Sequence, residues 1–493
     1  MLFSKADSIT LVLILLSTFY ITAYVRHKRS PLNRIPTVGF SGPVMSHLGA
    51  LVSFVRGHHL VQEGYEKYRI FKIRRYFSWL VIVNGPQHLE DIRKATDDKL
   101  SFLDALSEAG QLDHTIGPEL RNGSYHVNVV RGPMTRSINS CFPSLLDEMD
   151  KALGDILREA DKDWASIPCY HSVVHVISRV SARFFVGPKL SANPRYTEIM
   201  QGYTTYVFRT AFVLRLVPTL LKPIANRIMF DTNGRLREVE EFLQPLLTER
   251  LEQRTMEDNA EHEDMITWLW DAAPEQQRTI RDLAVRMILL NVAAIHTTSS
   301  LLTHVLFNLA TYTSYVEPLR EEITTVIKEH GWNKVAIEKM RKLDSFIKES
   351  ERLHGSGAVV LSRLTVNDFT FSDGTFIPKG THLVANSRAI SHDENYYTDP
   401  QEFQGFRFAD MNPLKWQMTA LNPEYMLFGL GRHACPGRFF AVAEIKAIVA
   451  RILLNYDIKL TDEEAGRPKD VWFTGLFIAP TRKARISLKK RVD

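Results

Sequence analysis

The 493-residue sequence predicts a mostly helical α+β protein with small β-sheets, preceded by one N-terminal transmembrane helix. Three observations predict it. Helix-type patterning dominates residues 145–255 and returns in a long apolar stretch at 286–313. Short β-type runs gather at 71–83 and 369–386, punctuated by Gly85-Pro86, Asp373-Gly374 and Pro378-Lys379-Gly380. Residues 8–25 carry no charge, and about 20 apolar residues span a bilayer.

No Gly/Ser-rich linker, repeat or low-complexity run divides the chain after residue 45, so one large core is expected. Apolar content of 45% against 24% charged residues excludes extensive disorder. Cys141, Cys169 and Cys435 are far apart and odd in number. They offer neither a disulfide framework nor zinc spacing, which suits a reducing compartment. The net charge of +5 is mild. Basic residues gather at Arg482, Lys483, Arg485, Lys489, Lys490 and Arg491; a solvated tail is expected, and no nucleic-acid motif accompanies it.

Taken in order, residues 1–29 read as a membrane anchor. Arg26, His27, Lys28 and Arg29 follow the apolar run and place that side in the cytosol. A signal peptide is the competing reading, but Lys5 and Asp7 balance and Tyr24-Val25-Arg26 makes a poor cleavage site. Residues 30–45 carry Pro31, Pro36 and Pro43 and read as a hinge; residues 46–493 read as one large domain. His88 to Lys94 reads helical, 100–125 irregular, and His126 and Arg131 open the next helix. Residues 207–229 are unusually apolar and broken by Pro218 and Pro223. The polar, acidic residues 257–263 read as an exposed loop.

The stretch 286–313 is apolar enough for a second span. Asn291, His296, Thr297, Thr298, Ser299, Ser300, Thr303 and His304 interrupt it, however, so a buried core helix lining a polar site is expected. Further on, Glu349 and Arg352 are three apart and share a helix face.

The chain is organised around Phe428-Gly429-Leu430-Gly431-Arg432-His433-Ala434-Cys435-Pro436-Gly437, followed by an unbroken helix pattern. Pro436 suits the first helical position. Cys435 then sits at a helix N-terminus, where N–H groups favour a thiolate. Gly429 and Gly431 permit a tight turn, and Gly437 lets backbone approach something flat and large. A thiolate offered from such a loop is what an axial ligand to haem iron requires. A lone cysteine is more often buried and inert, but that role needs no three glycines.

This stretch resembles the haem-binding signature of the cytochrome P-450 family, matching at Phe428, Gly431, Cys435 and Gly437. His433 stands where the family has arginine, as in fungal members. The resemblance runs from about Pro31 to the end and implies the P-450 fold, with haem b held by the Cys435 thiolate. Ala293-Ala294-Ile295-His296-Thr297-Thr298 resembles the oxygen-activation motif, with Thr297 on its threonine and His296 replacing its acid. Thr297 is expected to hydrogen-bond the distal oxygen and pass a proton; a Thr bonded to the preceding-turn carbonyl is the plainer alternative. His296 relays protons or is a core histidine satisfied by a carbonyl. Glu349 and Arg352 resemble the family's Glu-x-x-Arg, completed by Arg407 as a scaffold lock, although Gly405 and Phe406 depart from the usual Pro-Glu before that arginine.

The resemblance also implies that His433, Arg363 and either His126 or Arg131 contact haem propionates; a solvated surface role for His126 and Arg131 stands beside this. It makes 207–229 a helix-loop-helix lid that dips into the membrane, with a plain core helix as the alternative. It lines the substrate pocket with 356–361 and 473–478. The implied function is insertion of one oxygen atom of O2 into a C–H bond of a lipophilic molecule. The motifs resemble fungal enzymes of secondary metabolism, which points to a terpenoid. No flavin or nicotinamide fingerprint is present, so electrons come from NADPH through NADPH-cytochrome P-450 reductase, with the anchor in the endoplasmic reticulum and the catalytic domain cytosolic. Two other classes stand beside this: a haem-thiolate isomerase or dehydratase that uses no O2, against which Thr297 argues, and a non-catalytic haem-binding protein.

Overall fold

The computed structural model describes residues 28–75, 78–161, 163–256 and 264–491, with a few positions between 14 and 25. The expected anchor at 1–29 lies for the most part outside the described residues, as does the acidic stretch 257–263.

The longest helix, Ile280–Thr311, runs through the largest core cluster. Thr279 caps its start, accepting from Asp282 N. Among the described residues it alone is long and apolar enough to cross a membrane, but half of its most apolar window is buried inside the domain. It is a core helix, as its hydroxyl and imidazole side chains imply. Around it pack Cys169–Val186, Pro194–Arg215, Thr232–Met256, Arg341–His354 and Arg438–Asn455.

The β-structure is small and peripheral. A five-stranded sheet has the order Ile70–Arg75, Ser78–Val83, His382–Asn386, Val359–Thr365, Leu100–Ser101, and only its second and third strands run parallel. The Asp373-Gly374 turn joins two short strands, with Gly374 at φ +86°.

Three expectations need correction. The proline segment at 30–45 is docked at its domain end rather than free to bend. Leu32, Ile35 and Val38 are buried against the sheet, and Lys72 Nζ donates to the carbonyls of Leu32 and Ile35 at 2.5 Å each. The stretch 100–125 is largely helical, as Phe102–Gly110, Leu112–Thr115 and the 3-10 turn Pro118–Asn122. Ser101 caps the first of these, and Gln111, at φ 48°, breaks it from the second. The basic C-terminal run is a strand, not a tail. Arg485–Lys490 is the middle strand of a three-stranded sheet with Ala165–Pro168 and Tyr456–Leu460, and Ile486 and Leu488 point inward. Its alternating basic residues face out, where Arg485 donates to Ser166 and Lys489 pairs with Asp163. Residues 207–229 have the helix-loop-helix form expected of them rather than that of one plain core helix, with Val207, Ala211 and Leu214 buried in the first part. Pro194–Arg215 ends ahead of Pro218, and Lys222–Met229 carries Pro223 in its first turn, leaving Leu220 (90% exposed) and Ile228 (78% exposed) bare.

Candidate active site

A cavity of about 1000 Å³, its mouth included, lies between the middle of the core helix and the Cys435 loop. Ala293, Ala294, Thr297, Thr298, Ser300, Leu301 and His304 face it from the helix; Phe428, Cys435 and Gly437 face it from the loop.

The loop is pinned from both ends. Cys435 N donates to Phe428 O at 2.8 Å, and Ala434 N donates to Gly431 O at 3.1 Å. Gly431, at φ +65°, admits no side chain, because a Cβ would meet Arg93 Cγ at 2.7 Å and Arg93 O at 3.0 Å. Gly437 differs: its φ of −89° suits any residue, and a Cβ there meets only Val130, at 3.7 Å. Gly437 therefore keeps cavity space open rather than permitting a turn. The helix begins at Arg438, with Gly437 as its N-cap and Pro436 one residue before the cap. Burial pushes the Cys435 thiol up, against the backbone N–H groups of Gly437 and Arg438 and the Arg438 guanidinium, which pull it down. A metal cation supplies the stabilisation that desolvation removes from a thiolate.

These residues fit haem. The slot between Ala293, Ala294 and Gly437 lacks side chains beyond Cβ, and a single thiol faces it. A buried cation waits at the loop's edge. Arg363 is 3% exposed yet donates only one hydrogen bond among the described residues, to Ser362 O at 2.8 Å. Burial lowers its pKa to about 10. A guanidinium with five donors so placed suits an anionic carboxylate.

The other expected propionate contacts are placed less directly. His433 is on the rim, and its Nε2 donates to Asp97 Oδ1 at 2.5 Å. Arg131 donates to the carbonyl of Arg432. His126 is buried, not solvated, and Arg286 Nη1 donates to its Nδ1 at 2.8 Å. Its remaining hydrogen is therefore on Nε2, and burial followed by Arg286 lowers its pKa to about 4.

Thr297 and His296 part company. Thr297 lines the cavity, and its hydroxyl donates to Ala293 O at 2.7 Å, the preceding-turn bond of the plainer reading. His296 points away from the cavity, and the relay expectation is corrected. Its Nε2 lies 2.8 Å from Gln201 O, which only accepts, so Nε2 carries the hydrogen; Nδ1 then accepts from Tyr170 Oη at 2.9 Å. Both nitrogens are satisfied, and burial lowers the pKa. This is the satisfied core histidine of the alternative reading.

The scaffold trio assembles as the sequence implied. Arg352 Nε and Nη2 meet the two Glu349 oxygens at 2.7 and 2.8 Å, and Arg407 Nε meets them at 3.1 and 3.2 Å. Gly405 departs from the family pattern for a packing reason: a Cβ there would sit 2.8 Å from Phe346 and 2.9 Å from Tyr315. Phe406 packs edge-on against Tyr315, ring centroids 4.9 Å apart.

Sequence reasoning gave no role to the cavity residues Glu351 and His354, and it named His304 only as one of the polar residues of the core helix. The signal for His304 was its spacing, since a residue seven beyond Thr297 returns to the same helix face.

The chain is matched by the family model "Cytochrome P450" over residues 36–488. It is 38% identical to cytochrome P450 monooxygenase 110 of Postia placenta, over 95% of each chain. It is 30% identical to ent-kaurene oxidase P450-4 of Gibberella fujikuroi, over 96% of each. Retinoic acid bound cyanobacterial CYP120A1 superposes with a TM-score of 0.70 at 19% identity, covering 93% of this chain and 99% of that one. With the loop of Cys435 facing Thr297 across a cavity that fits haem, these likenesses place the chain in the cytochrome P450 family, as a monooxygenase.

Proposed function

We propose that this protein inserts one oxygen atom of O2 into a C–H bond of a lipophilic terpenoid in fungal secondary metabolism, with electrons from NADPH passed through NADPH-cytochrome P-450 reductase. The observation that carries this reading is the largely apolar cavity joining Cys435 to Thr297. The ent-kaurene oxidase likeness supports the terpenoid class.

Cys435 would hold the haem iron, with Phe428, Gly431 and Gly437 shaping the loop behind it. Arg363 would meet a propionate, joined at the rim by His433, Arg131 or His126. Bound there, haem supplies the activation of O2 and the oxidation of the C–H bond. The chain supplies the rest. Ala293 and Ala294 leave room beside the sulfur. The Thr297 hydroxyl donates to Ala293 O, so its lone pairs are the part available to the cavity; release of that bond turns it into a donor, and it holds a proton without carrying charge. The apolar wall excludes water and so limits proton leakage. His296 positions the helix by bonding Tyr170 and Gln201.

Residues 1–29 serve as a single-pass anchor in the endoplasmic reticulum membrane, with residues 46–493 as the cytosolic catalytic domain. The bare Leu220, Ile224 and Ile228 of the helix-loop-helix segment support contact with the same membrane. Expression beside a reductase in a host fed candidate terpenoids, followed by mass spectrometry, tests the function. A product heavier by one oxygen, labelled by ¹⁸O2, is expected. A product formed without NADPH or O2 would contradict the reading.

A further inference from the structure

The cavity wall holds an imidazole nitrogen that no described residue bonds. His304 is 2% exposed, lines the cavity and has no hydrogen-bond partner at Nε2 among the described residues. Its other nitrogen is fixed. Arg467 Nη2 lies 3.1 Å from His304 Nδ1, and a guanidinium only donates. Nδ1 therefore carries the lone pair and Nε2 the hydrogen. Burial, outweighing nearby Asp470, lowers the pKa to about 3, and Arg467 and His354 act in the same direction. The ring is neutral at any physiological pH.

The ring is also held in place. It stacks on His354, centroids 5.6 Å apart and planes 24° from parallel. Arg467 is itself tied to Asn308 Oδ1 at 2.6 Å and Asp470 Oδ1 at 3.1 Å. Asp470 Oδ2 lies 2.8 Å from His354 Nδ1. A carboxylate accepts, so His354 keeps its hydrogen on Nδ1 and has Nε2 as an acceptor. Burial lowers the His354 pKa as well. His354 also lines the cavity.

One end of a largely apolar cavity thus brings together a neutral donor and a neutral acceptor. A buried N–H without a partner is costly, and folds rarely keep one. A hydroxyl answers both groups, because it accepts and donates. A carboxylate does not, since Asp470 and Glu351 already stand in that part of the site.

We propose that His304, seconded by His354, receives a hydroxyl group of the substrate, so that the preferred substrate is an alcohol rather than a bare hydrocarbon. This rests on the monooxygenase reading above. His304 lies seven residues beyond Thr297, about 10 Å along the axis at the helical rise per residue. The recognised hydroxyl therefore sits about that far from the carbon presented beside Thr297. In a reaction sequence, the enzyme acts after a step that has already hydroxylated its substrate.

The test uses the haem-loaded full chain and two probes of one skeleton, ent-kaurane and ent-kauran-16-ol. The reduced carbon monoxide spectrum is recorded first. Absence of a thiolate-type band in the parent contradicts the haem reading itself, before any binding is compared. Each probe is then titrated by its Soret shift into the parent, His304→Phe and His304→Gln. The parent should bind the alcohol about tenfold more tightly than the hydrocarbon, as expected of a site with a dedicated hydroxyl partner. His304→Phe should lose that preference, and His304→Gln, which keeps an N–H, should restore part of it. Equal binding of the two probes by the parent overturns the proposal, whether or not either variant folds. So does an undiminished preference in His304→Phe. Faster haem loss from His304→Phe with the preference intact also overturns it, since His304 would then serve the haem.

Discussion

The helix Arg341–His354 supplies both the most satisfied and the least satisfied polar groups near the cavity. On one face, Glu349 and Arg352 are fully buried, and every strong donor and acceptor is answered. Arg352 adds the carbonyls of Ser391 and Pro400 at 2.6 Å each, and Gln404 N donates to Glu349 Oε1 at 3.0 Å. On another face, Lys348 Nζ is buried with no hydrogen-bond partner among the described residues, facing the Tyr425 ring at 3.7 Å. Burial lowers its pKa to about 7 and raises that of Glu351, which lines the cavity, to about 7. The difference teaches how to separate scaffold from site. A closed network resists change and specifies geometry, whereas Lys348 is held among the rings of Phe408, Trp416 and Tyr425 and only Glu351 of this pair opens on the cavity.

Substitutions sharpen or break that contrast. The largest stability effect is expected at Glu349. Glu349→Gln leaves two guanidiniums buried against a neutral amide, and losing one partner of a buried pair costs about 3–5 kcal/mol. Urea unfolding should show a midpoint shifted down accordingly, with haem content falling in parallel. A near-parental midpoint would mean the trio is not the lock described.

Thr297→Ala should leave folding intact and act on chemistry. NADPH consumption should continue while product per NADPH falls roughly tenfold or more, with the difference recovered as peroxide. Equal coupling in parent and variant would remove the case for this hydroxyl.

His296→Phe should do the reverse. Losing the bonds to Tyr170 and Gln201 leaves buried polar groups unanswered and costs about 1–3 kcal/mol. Product per NADPH should stay at the parental value. Uncoupling that matches Thr297→Ala would reinstate a relay through His296.

The smallest effect is expected at the rim. His433→Arg should change stability by no more than about 0.5 kcal/mol, because a guanidinium reaches Asp97 and keeps donors over. Transfer of haem to apomyoglobin should proceed at an unchanged rate. A large acceleration would show that the imidazole makes a contact arginine cannot reproduce.

Much of this was legible in the sequence, for physical reasons. The Cys435 loop announced itself because glycine spacing and a helix start constrain backbone, and backbone constraint is local. Glu349 and Arg352 share a face by helical geometry alone. Arg407, far off in sequence, came only from the family likeness. What failed was non-local. The strand Ala165–Pro168 is short and exists because Arg485–Lys490 pairs with it. The docking of Leu32 and Ile35 depends on Lys72, 37 residues beyond Ile35. His296 shows the limit most clearly, since its motif position promised chemistry. Its rotation toward Tyr170 and Gln201 is set by helices that the local sequence does not contain.

The central claim is that Cys435 is the thiolate ligand around which the chain is built. The direct measurement is the reduced carbon monoxide spectrum of Cys435→Ala beside the parent, both expressed with haem supplied. The parent should show the red-shifted Soret band of a thiolate-ligated haem, and the variant should lose it entirely. A retained thiolate-type band in Cys435→Ala would contradict the account.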